Sequence, residues 1–385
     1  MNDPVVDLLR LVARADWDPA DSGRLVDAAS RLTRWADVPD AAEAHGLAPL
    51  LYRHLSDAGA PLPMETRQQL FAASVRHRAA NQYRFEILGQ ILEAFEREGI
   101  RVVVLKGAAL AHVLYESPGL RPFGDIDLLV EPQVAWKAQS VVGSLGFVAP
   151  SAPTDRRLFS HHHLPLAIRQ AGGHIIQVEI HTNALSHDTQ GSLTLADLTG
   201  PLRMFDVGGR QAAAFGHVDM LYHLCRHVAE RASLLRLIWV ADIVSYAARY
   251  AREISWEDLA RHYPFVINAL SLLHLVTPLS APVLAHVVPA DGDGMRGVGE
   301  ACRPLAEIVR RNRPVAAIAG DLLAPSDWWL RLHYGVPADR PLLWRRALVH
   351  PGRVAYWVAR RAIAYARWDA RRLMDRTRRP KKVVG

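Results

Sequence analysis

The most restrictive feature of this chain is a short apolar segment, residues 124–130 with the sequence GDIDLLV, that carries two acids. Side chains two residues apart leave a strand on the same face, so Asp125 and Asp127 project side by side while the alternate residues meet an apolar layer. Two carboxylates this close repel each other unless a cation lies between them. The segment therefore predicts a strand that bears either a divalent-cation site, with magnesium as the usual ion, or two solvated carboxylates.

A strand followed directly by a helix is predicted upstream of this acidic strand. Residues 102–105 are apolar and mostly β-branched, and a helical pattern covers residues 108–115. Backbone N–H groups at the start of a helix bind phosphate, and Gly107 permits its close approach. Lys106, one of only four lysines in the chain, would add a positive charge. The alternative is structural, with Gly107 as a turn glycine and Lys106 as a lysine whose apolar stem is buried.

Two further polar residues have the context of a phosphate or metal site. Arg121 precedes the acidic strand and offers a planar guanidinium to phosphate oxygens, unless it pairs with Glu116. Glu179 lies in a predicted strand, residues 175–181, and is the only acid in a strand context that matches the aspartate pair. A third carboxylate at the same end of a neighbouring strand would complete a two-metal site. His181 shares the face of Glu179, where it could orient that acid, contact substrate or form a structural hydrogen bond.

The remaining pattern places these strands in an α+β fold. Residues 1–85 have apolar residues at helical spacing and predict an N-terminal helical region. Residues 86–210 predict a core with a mixed sheet and flanking helices, and residues 211–385 predict a second helical region with a basic tail. Within the core we predict strands at 102–105, 126–130, 164–169 and 175–181, helices at 108–115 and 133–145, and a hairpin turn at 171–173.

Composition indicates a globular chain in a reducing compartment. The 385 residues are 50% hydrophobic, which excludes disordered and fibrous classes. The formal net charge of +7 weakly favours an anionic partner. Cys225 and Cys302 are too few for a disulfide framework or a thiolate zinc site. The first residues lack the features of an export signal, and residues 265–289 are interrupted by polar residues and proline. We therefore expect a cytoplasmic protein without a transmembrane segment.

Three motifs together resemble a known enzyme family. They are LKGAAL at residues 105–110, the acidic strand with its approach at residues 121–130, and VEIH at residues 178–181. In this order they resemble the DNA polymerase β-like nucleotidyltransferase superfamily, and more narrowly a bacterial family of uncharacterised nucleotidyltransferases. Residues 221–243 are also similar to the helical segment of that family. The resemblance implies a polymerase β-like core between the two helical regions.

The resemblance also implies a reaction, in which a nucleoside monophosphate moves from a nucleoside triphosphate to a hydroxyl or similar acceptor, with release of pyrophosphate. The acceptor would be an unidentified small molecule, peptide or protein, and two Mg²⁺ ions, or Mn²⁺ in their place, would assist the transfer. The implied catalytic and metal-binding residues are Asp125, Asp127 and Glu179. The implied nucleotide-binding residues are Lys106, Gly107, Ala108 and Arg121. Possible substrate or supporting residues are His181, His227, Arg236 and Asp242, although Arg236 and Asp242 could instead form an interhelical ion pair.

Departures from the family pattern keep two other functions open. The first motif of the superfamily usually contains Gly-Ser or Gly-Gly, whereas residues 106–108 are Lys-Gly-Ala and lack a hydroxyl. Glu179 stands where aspartate is commoner. A catalytically silent binding module with this fold is therefore one alternative. The positive charge of the chain allows a second, an enzyme that modifies nucleic-acid ends, although we recognise no RNA- or DNA-binding domain.

Three further motifs receive structural interpretations. The histidines at 161–163 alternate between strand faces and have no acid or cysteine at ligand spacing, so they predict an entry into a strand. Residues 292–297, GDGMRG, match a dinucleotide-binding pattern without its strand and helix, and predict a flexible loop. The basic C-terminal end carries Trp357, Tyr365 and Trp368 among arginines. Nucleic acid or an anionic membrane surface could bind there, but we expect a helix with its aromatic residues packed inward and its arginines in water.

Overall fold

A computed structural model of the chain shows the predicted α+β architecture, in which helices surround a mixed four-stranded sheet. It describes residues 3–149, 162–171, 173–186, 191–231, 235–291, 298, 302, 323, 325–360 and 362–363. The predictions for His161, for residues 292–297 and for the basic tail beyond residue 363, with Tyr365 and Trp368, lie outside the described residues.

Five helices form the N-terminal part of the chain. They are α1 Pro4–Val12, α2 Ser22–Ser30, α3 Val38–His45, α4 Ala48–Asp57 and α5 Met64–Arg97. Local signals set their ends: the Asp3 side chain accepts a hydrogen bond from the Val5 N–H at the start of α1. Gly46, with a φ of 70°, ends α3 in the left-handed conformation that favours glycine. Helix α5 continues across the predicted boundary at residue 85, and the division of the chain into three parts stays a prediction.

The core sheet contains β1 Val102–Val104, β2 Asp125–Val130, β3 Ala167–Ala171 and β4 His174–His181, in the spatial order β1-β2-β4-β3. Strands β2 and β4 pair in parallel, whereas β1 with β2 and β3 with β4 are antiparallel. Helix α6, Lys106–Val113, connects β1 to β2, and α7, Ala135–Ser144, follows β2. The sheet is therefore mixed, as predicted.

The two central strands each bury a row of alternate apolar side chains. Ile126 and Leu128 of β2 and Val178 and Ile180 of β4 have no exposed surface. This period of two directs the acidic side chains of both strands to the opposite face of the sheet. Strand β3 begins three residues later than predicted, because its antiparallel register with β4 places the tight turn at Gly173, whose φ is 77°.

A second, two-stranded sheet was not predicted. It consists of β5 Arg203–Val207 and β6 Arg210–Ala214, joined at Gly208 and Gly209, which both have positive φ. The helices that follow are α8 His217–Glu230, α9 Leu237–Arg249, α10 Trp256–His262, α11 Pro264–Leu273, α12 Ala281–Leu284, α13 Asp327–Tyr334 and α14, residues 343–360, with a π turn at Arg345–Val349. None of the described helices is both long enough and apolar enough to cross a membrane.

Candidate active site

Parallel pairing of β2 with β4 brings predicted site residues together. Asp127 stands directly beside Glu179 in the strand register, and Leu129 stands beside His181. Asp125 lies two residues before Asp127 on the same strand. Because the alternate side chains of both strands lie in the apolar layer, the acids and the histidine share the other face of the sheet.

Asp127 is the centre of a closely spaced polar network. Its Oδ1 atom accepts a hydrogen bond from Lys106 Nζ at 2.8 Å and lies 2.7 Å from His181 Nε2. The same His181 Nε2 lies 3.2 Å from Glu179 Oε2. Asp127 and His181 are buried, whereas the side chain of Glu179 is 21% exposed. Glu179 is therefore the carboxylate of this network that a substrate reaches most readily.

The charges of the network determine the protonation of its acids. Burial works against charge on Asp127, but Lys106 and His181 outweigh it and hold the pKa of Asp127 well below its usual range. Burial also opposes ionisation of Glu179, and the hydrogen bond with His181 overcomes it, so the pKa of Glu179 is lowered. The pKa of Asp125 is instead raised, first by the neighbouring charge of Asp127 and then by burial. A cation bound at this face would relieve that repulsion.

Lys106 reaches Asp127 because of an unusual backbone turn. Its φ is 47°, and it is the only non-glycine residue with positive φ in the described ranges. The Leu105 N–H donates to the carbonyl oxygen of Asp127 at 2.9 Å, which fixes the end of β1 beside β2. No described side chain caps the start of α6. Lys106 thus begins α6 with its ammonium on Asp127, and no described side chain occupies the first N–H groups of the helix.

Gly107 and Ala108 contribute backbone to this turn. A Cβ atom placed on Gly107 would lie 2.6 Å from the Cβ of Phe123 and would also collide with the guanidinium of Arg121. Only glycine fits this position without displacing the loop. The side chain of Ala108 is fully buried, so this residue can offer a ligand only its N–H.

Arg121, a predicted nucleotide-binding residue, forms a buried ion pair. Its buried guanidinium binds Asp242 through Nε at 3.3 Å and Nη2 at 2.6 Å, and the Tyr115 hydroxyl donates to the same carboxylate at 2.6 Å. This ion pair joins the loop before β2 to α9, and the predicted phosphate contact of Arg121 stays a prediction. The alternative partner, Glu116, pairs with Arg53 instead.

The predicted ion pair between Arg236 and Asp242 is also absent from the described contacts. The Nε atom of Arg236 donates to the carbonyl oxygen of Ala44 at 3.2 Å, next to the end of α3. Asp242 is already bound by Arg121 and Tyr115. Arg236 therefore joins α9 to the N-terminal helices, and Asp242 supports the loop before β2.

Two histidines of α8 lie near Lys106. The ring of His227 contacts Trp239 edge to face, with 4.9 Å between the ring centres. Burial lowers the pKa of His227 well below its usual range, and the positive charge of Lys106 lowers it further. The same two causes lower the pKa of His223 to about 3. Both imidazoles are therefore neutral at physiological pH; His227 was predicted as a supporting residue and His223 was not.

Arg84 of α5 is a cation near the site that the sequence pattern did not reveal. Its guanidinium carbon lies 5.6 Å from the centre of the Phe123 ring, two residues before Asp125. Its Nε atom is buried and has no hydrogen-bond partner among the described residues. Burial lowers the pKa of Arg84, while the charge of Asp125 raises it. An arginine within a long helix gives no local signal of such a distant partner.

Asp127, Glu179 and His181 form a cluster that could hold a metal ion, and the described residues contain no other such cluster. One ligand atom from each lies within 4.8 Å of the others. Two carboxylates and an imidazole suit Mn²⁺ and related transition ions, and the carboxylates also suit Mg²⁺. The predicted metal set had Asp125 where this cluster has His181. Asp125 remains a neighbour on the same face of β2.

The described members of the histidine triplet pack around His181. The rings of His162 and His163 lie 5.5 Å and 5.3 Å from the His181 ring, and His163 forms an isolated bridge with His181. This arrangement agrees with the predicted entry into a strand. The two rings help to enclose the imidazole of the metal cluster.

A cleft of about 600 Å³ lies along α5, between the loop that includes Pro118 and the turn of the β5–β6 hairpin. Asn81 borders it and donates to the carbonyl oxygens of Pro118 and Arg121, which anchors the loop before β2. None of the acids of the Asp127 network lines this cleft.

The structure of the chain has a low similarity to two solved nucleotidyltransferase or nucleotidyltransferase-like structures. ANT(2″)-Ia, in a crystal structure with adenylyl-2″-tobramycin, is 13% identical and is matched over 47% of this chain and 96% of its own, with a TM-score of 0.34. An antigenic nucleotidyltransferase-like protein from Paracoccidioides brasiliensis is 14% identical and is matched over 52% of this chain and 96% of its own, with a TM-score of 0.32. No curated protein matches the chain.

Membership of a family follows from the sequence itself. The sequence model of the family described as uncharacterised nucleotidyltransferase matches residues 32–265, which is more than half of the chain. The matched range includes β1, β2 and β4 with the whole Asp127 network. The chain belongs to the uncharacterised nucleotidyltransferase family.

Proposed function

We propose that the protein is a metal-dependent nucleotidyltransferase, which moves a nucleoside monophosphate from a nucleoside triphosphate to a hydroxyl or similar acceptor and releases pyrophosphate. The observation that carries the proposal is the cluster of buried Asp127 and His181 with partly exposed Glu179, next to Lys106 at the start of α6. The acceptor is a small molecule, a peptide or a protein. The reaction takes place in the cytoplasm, as the cysteine content suggests.

Asp127, Glu179 and His181 would hold a divalent cation, Mg²⁺ or Mn²⁺, and Asp125 would bind a second ion or its water ligands on the same strand face. When bound, such ions supply positive charge that stabilises the transferring phosphoryl group. Asp127 and Glu179 are suited to this task because their lowered pKa values keep them ionised at neutral pH. The pKa of Asp125 is raised mainly because Asp127 repels its charge, and a cation between the two carboxylates would reduce this repulsion.

Binding of the triphosphate is assigned to the turn between β1 and α6. Lys106 carries the positive charge, Gly107 leaves room, and the N–H groups of Gly107 and Ala108 face an anion at the helix start. Arg84 is the second cation we assign to the phosphates, in place of Arg121. Its Nε is buried and has no partner among the described residues, so it can donate to an anionic oxygen.

Glu179 is the group that we propose takes the proton from the acceptor hydroxyl. It is ionised, partly exposed and held by His181, so it can accept a proton at a fixed position. In the metal-free protein, His181 Nε2 instead positions both carboxylates. His227 lies on α8 close enough for the Lys106 charge to lower its pKa, and it would border the same space.

Thermal unfolding of the full chain with ATP, GTP, CTP and UTP, each with and without Mg²⁺ or Mn²⁺, tests the proposal. A ligand that binds only the folded state raises the unfolding temperature. We expect a metal-dependent rise for at least one nucleotide, and its loss in the double variant Asp125→Asn with Asp127→Asn. Glu131→Gln, an exposed acid just after β2, is the matched control. Metal-dependent nucleotide binding that persists in the double variant would overturn the site assignment.

One observation favours a second candidate, a catalytically silent nucleotide-binding module. The ammonium of Lys106 already neutralises Asp127, so a lysine could replace the metal permanently. In that case nucleotide binding would not depend on Mg²⁺ or Mn²⁺, and pyrophosphate release would not be detected with any acceptor. The same thermal measurements separate the two functions. Salt-sensitive binding of RNA would instead favour an enzyme that modifies nucleic-acid ends.

A further inference from the structure

Helix α14 exposes large apolar side chains to solvent. Leu343 and Trp344 are each 71% exposed and Leu348 is 58% exposed. Farther along the helix, Tyr356 is 67% exposed and Val358 is 49% exposed. A helix on the surface of a soluble domain normally turns such residues toward the core. Exposed large apolar side chains grouped on one helix favour an interaction site.

Three arginines of the same helix contact α13. Arg346 forms an ion pair with Asp327 of α13. The guanidinium carbons of Arg345 and Arg353 lie 5.8 Å and 5.6 Å from the centre of the Tyr334 ring, which also belongs to α13. Trp357, which we expect to pack inward, is 41% exposed. These arginines attach α14 to α13, although Arg346 is itself 45% exposed, and large apolar side chains of the helix remain in solvent.

Charge selects the chemistry of the partner. Residues 343–360 contain four arginines and no acid, and residues 361–385 add nine basic residues against two aspartates. The arginines that face α13 lie within one helix diameter of the apolar side, which is about one Debye length at physiological salt. The surface therefore combines exposed apolar side chains with a positive potential, and a partner must be negatively charged and able to take up apolar groups.

We propose that α14 binds the surface of an anionic lipid bilayer, with Leu343, Trp344 and Leu348 entering the interface between headgroups and acyl chains. Tryptophan and tyrosine favour this depth, and basic residues add attraction to anionic headgroups. A second copy of the chain fits less well, because two segments with this excess of positive charge would repel each other. The proposal is independent of the nucleotidyltransferase chemistry and would place that chemistry at a membrane surface.

Co-sedimentation of the full chain with lipid vesicles tests the inference. Vesicles of phosphatidylcholine alone are compared with vesicles in which about one third of the lipid is phosphatidylglycerol. We expect binding to the anionic vesicles that weakens as salt is raised and is much weaker with the neutral ones. The double variant Trp344→Ser with Leu348→Ser should bind at least about tenfold more weakly, since two apolar side chains no longer leave water.

The matched control removes equally exposed apolar groups elsewhere. Met64 and Val288 are 69% and 84% exposed, and the double variant Met64→Ser with Val288→Ser should bind as the wild type does. Because all four side chains are exposed, both variants should keep the circular dichroism and unfolding temperature of the wild type. Equal vesicle binding by the α14 variant and the wild type would overturn the proposal. Wild-type protein that does not bind anionic vesicles, and instead forms dimers in light scattering or binds single-stranded RNA, would also overturn the proposal.

Discussion

The buried ion pair between Arg121 and Asp242 permits a quantitative test of where the structure places Arg121. The two side chains are 7% and 1% exposed, and the Tyr115 hydroxyl binds the same carboxylate. Removing one member of a buried pair leaves the other charge uncompensated, which costs about 3–5 kcal/mol of unfolding free energy. Arg121→Met leaves the Asp242 carboxylate with only the tyrosine hydroxyl, and Asp242→Leu leaves a buried guanidinium. We expect each single variant to lose an amount in this range.

The double variant Arg121→Met with Asp242→Leu should be far more stable than the sum of the single variants. Replacing a whole buried pair by apolar residues is often neutral, so its loss should be below about 2 kcal/mol, with a coupling of about 4 kcal/mol or more. Urea unfolding followed by tryptophan fluorescence gives all four values. Arg31→Met is the matched control, because Arg31 pairs with Asp27 at 77% and 69% exposure and should change stability by less than about 1 kcal/mol. Additive losses in the double variant would refute the reasoning.

The same double variant separates the two roles considered for Arg121. If Arg121 only stabilises the loop before β2, the double variant should fold, and its affinity for the nucleoside triphosphate and metal should be within about threefold of that of the wild type. If the arginine contacts phosphate, the variant should fold and lose more than about tenfold in affinity. Isothermal titration calorimetry with the nucleotide found in the thermal measurements gives the answer.

Three further predictions concern the metal cluster, the phosphate turn and a buried histidine. His181→Asn should weaken Mn²⁺ binding, measured by calorimetry, about tenfold or more and Mg²⁺ binding much less, because imidazole favours transition ions. An equal loss for both ions would contradict the role of His181 as a metal ligand. Gly107→Ala should lower the unfolding free energy by about 1–3 kcal/mol and weaken nucleotide binding. The control Gly143→Ala, at a position with open space around it, should do neither. Equal stability of the two variants would show that the turn can relax. Burial lowers the pKa of His54 to about 4, below its unfolded value near 6.5, so its contribution to stability is present above about pH 6.5 and is lost toward pH 4. Urea midpoints measured between pH 7 and pH 4.5 should therefore fall less steeply in His54→Gln than in the exposed control His262→Gln, and parallel curves would argue against this linkage.

The strands that carry the acids could be predicted because their signals are local. Alternation of apolar and acidic residues in β2 requires only the period of a strand, and the same rule places Glu179 and His181 on one face of β4. The structure adds the parallel register that sets Asp127 beside Glu179. The roles of these residues in catalysis stay predictions, since no local pattern distinguishes a metal ligand from a proton acceptor.

Other parts of the fold had weaker or unused signals. The β5–β6 hairpin contains a Gly-Gly turn at residues 208–209 between two short strands, and Gly-Gly is a known hairpin signal. The predicted start of β3, residue 164, is three residues too early, because the sequence of this strand does not fix where its pairing with β4 begins. The pairs formed by Arg121 and Asp242, and the approach of Arg84 to Asp125, join residues far apart in the chain. Such contacts depend on the packing of helices, and spacing rules do not reach them.

The position of Lys106 shows how the tertiary structure changes the expected behaviour of the site. The sequence assigned this lysine to phosphate, whereas the structure places its ammonium on Asp127 at 2.8 Å. A buried carboxylate without a positive partner is strongly destabilising, so Asp127 needs a cation in every state of the protein. A divalent ion would compete with Lys106 for the same oxygen. Because Lys106 also begins α6, a triphosphate at the helix start would offer the displaced ammonium a new anionic partner. We therefore expect metal and nucleotide each to strengthen the binding of the other, since either one alone leaves a charge of this network without a partner.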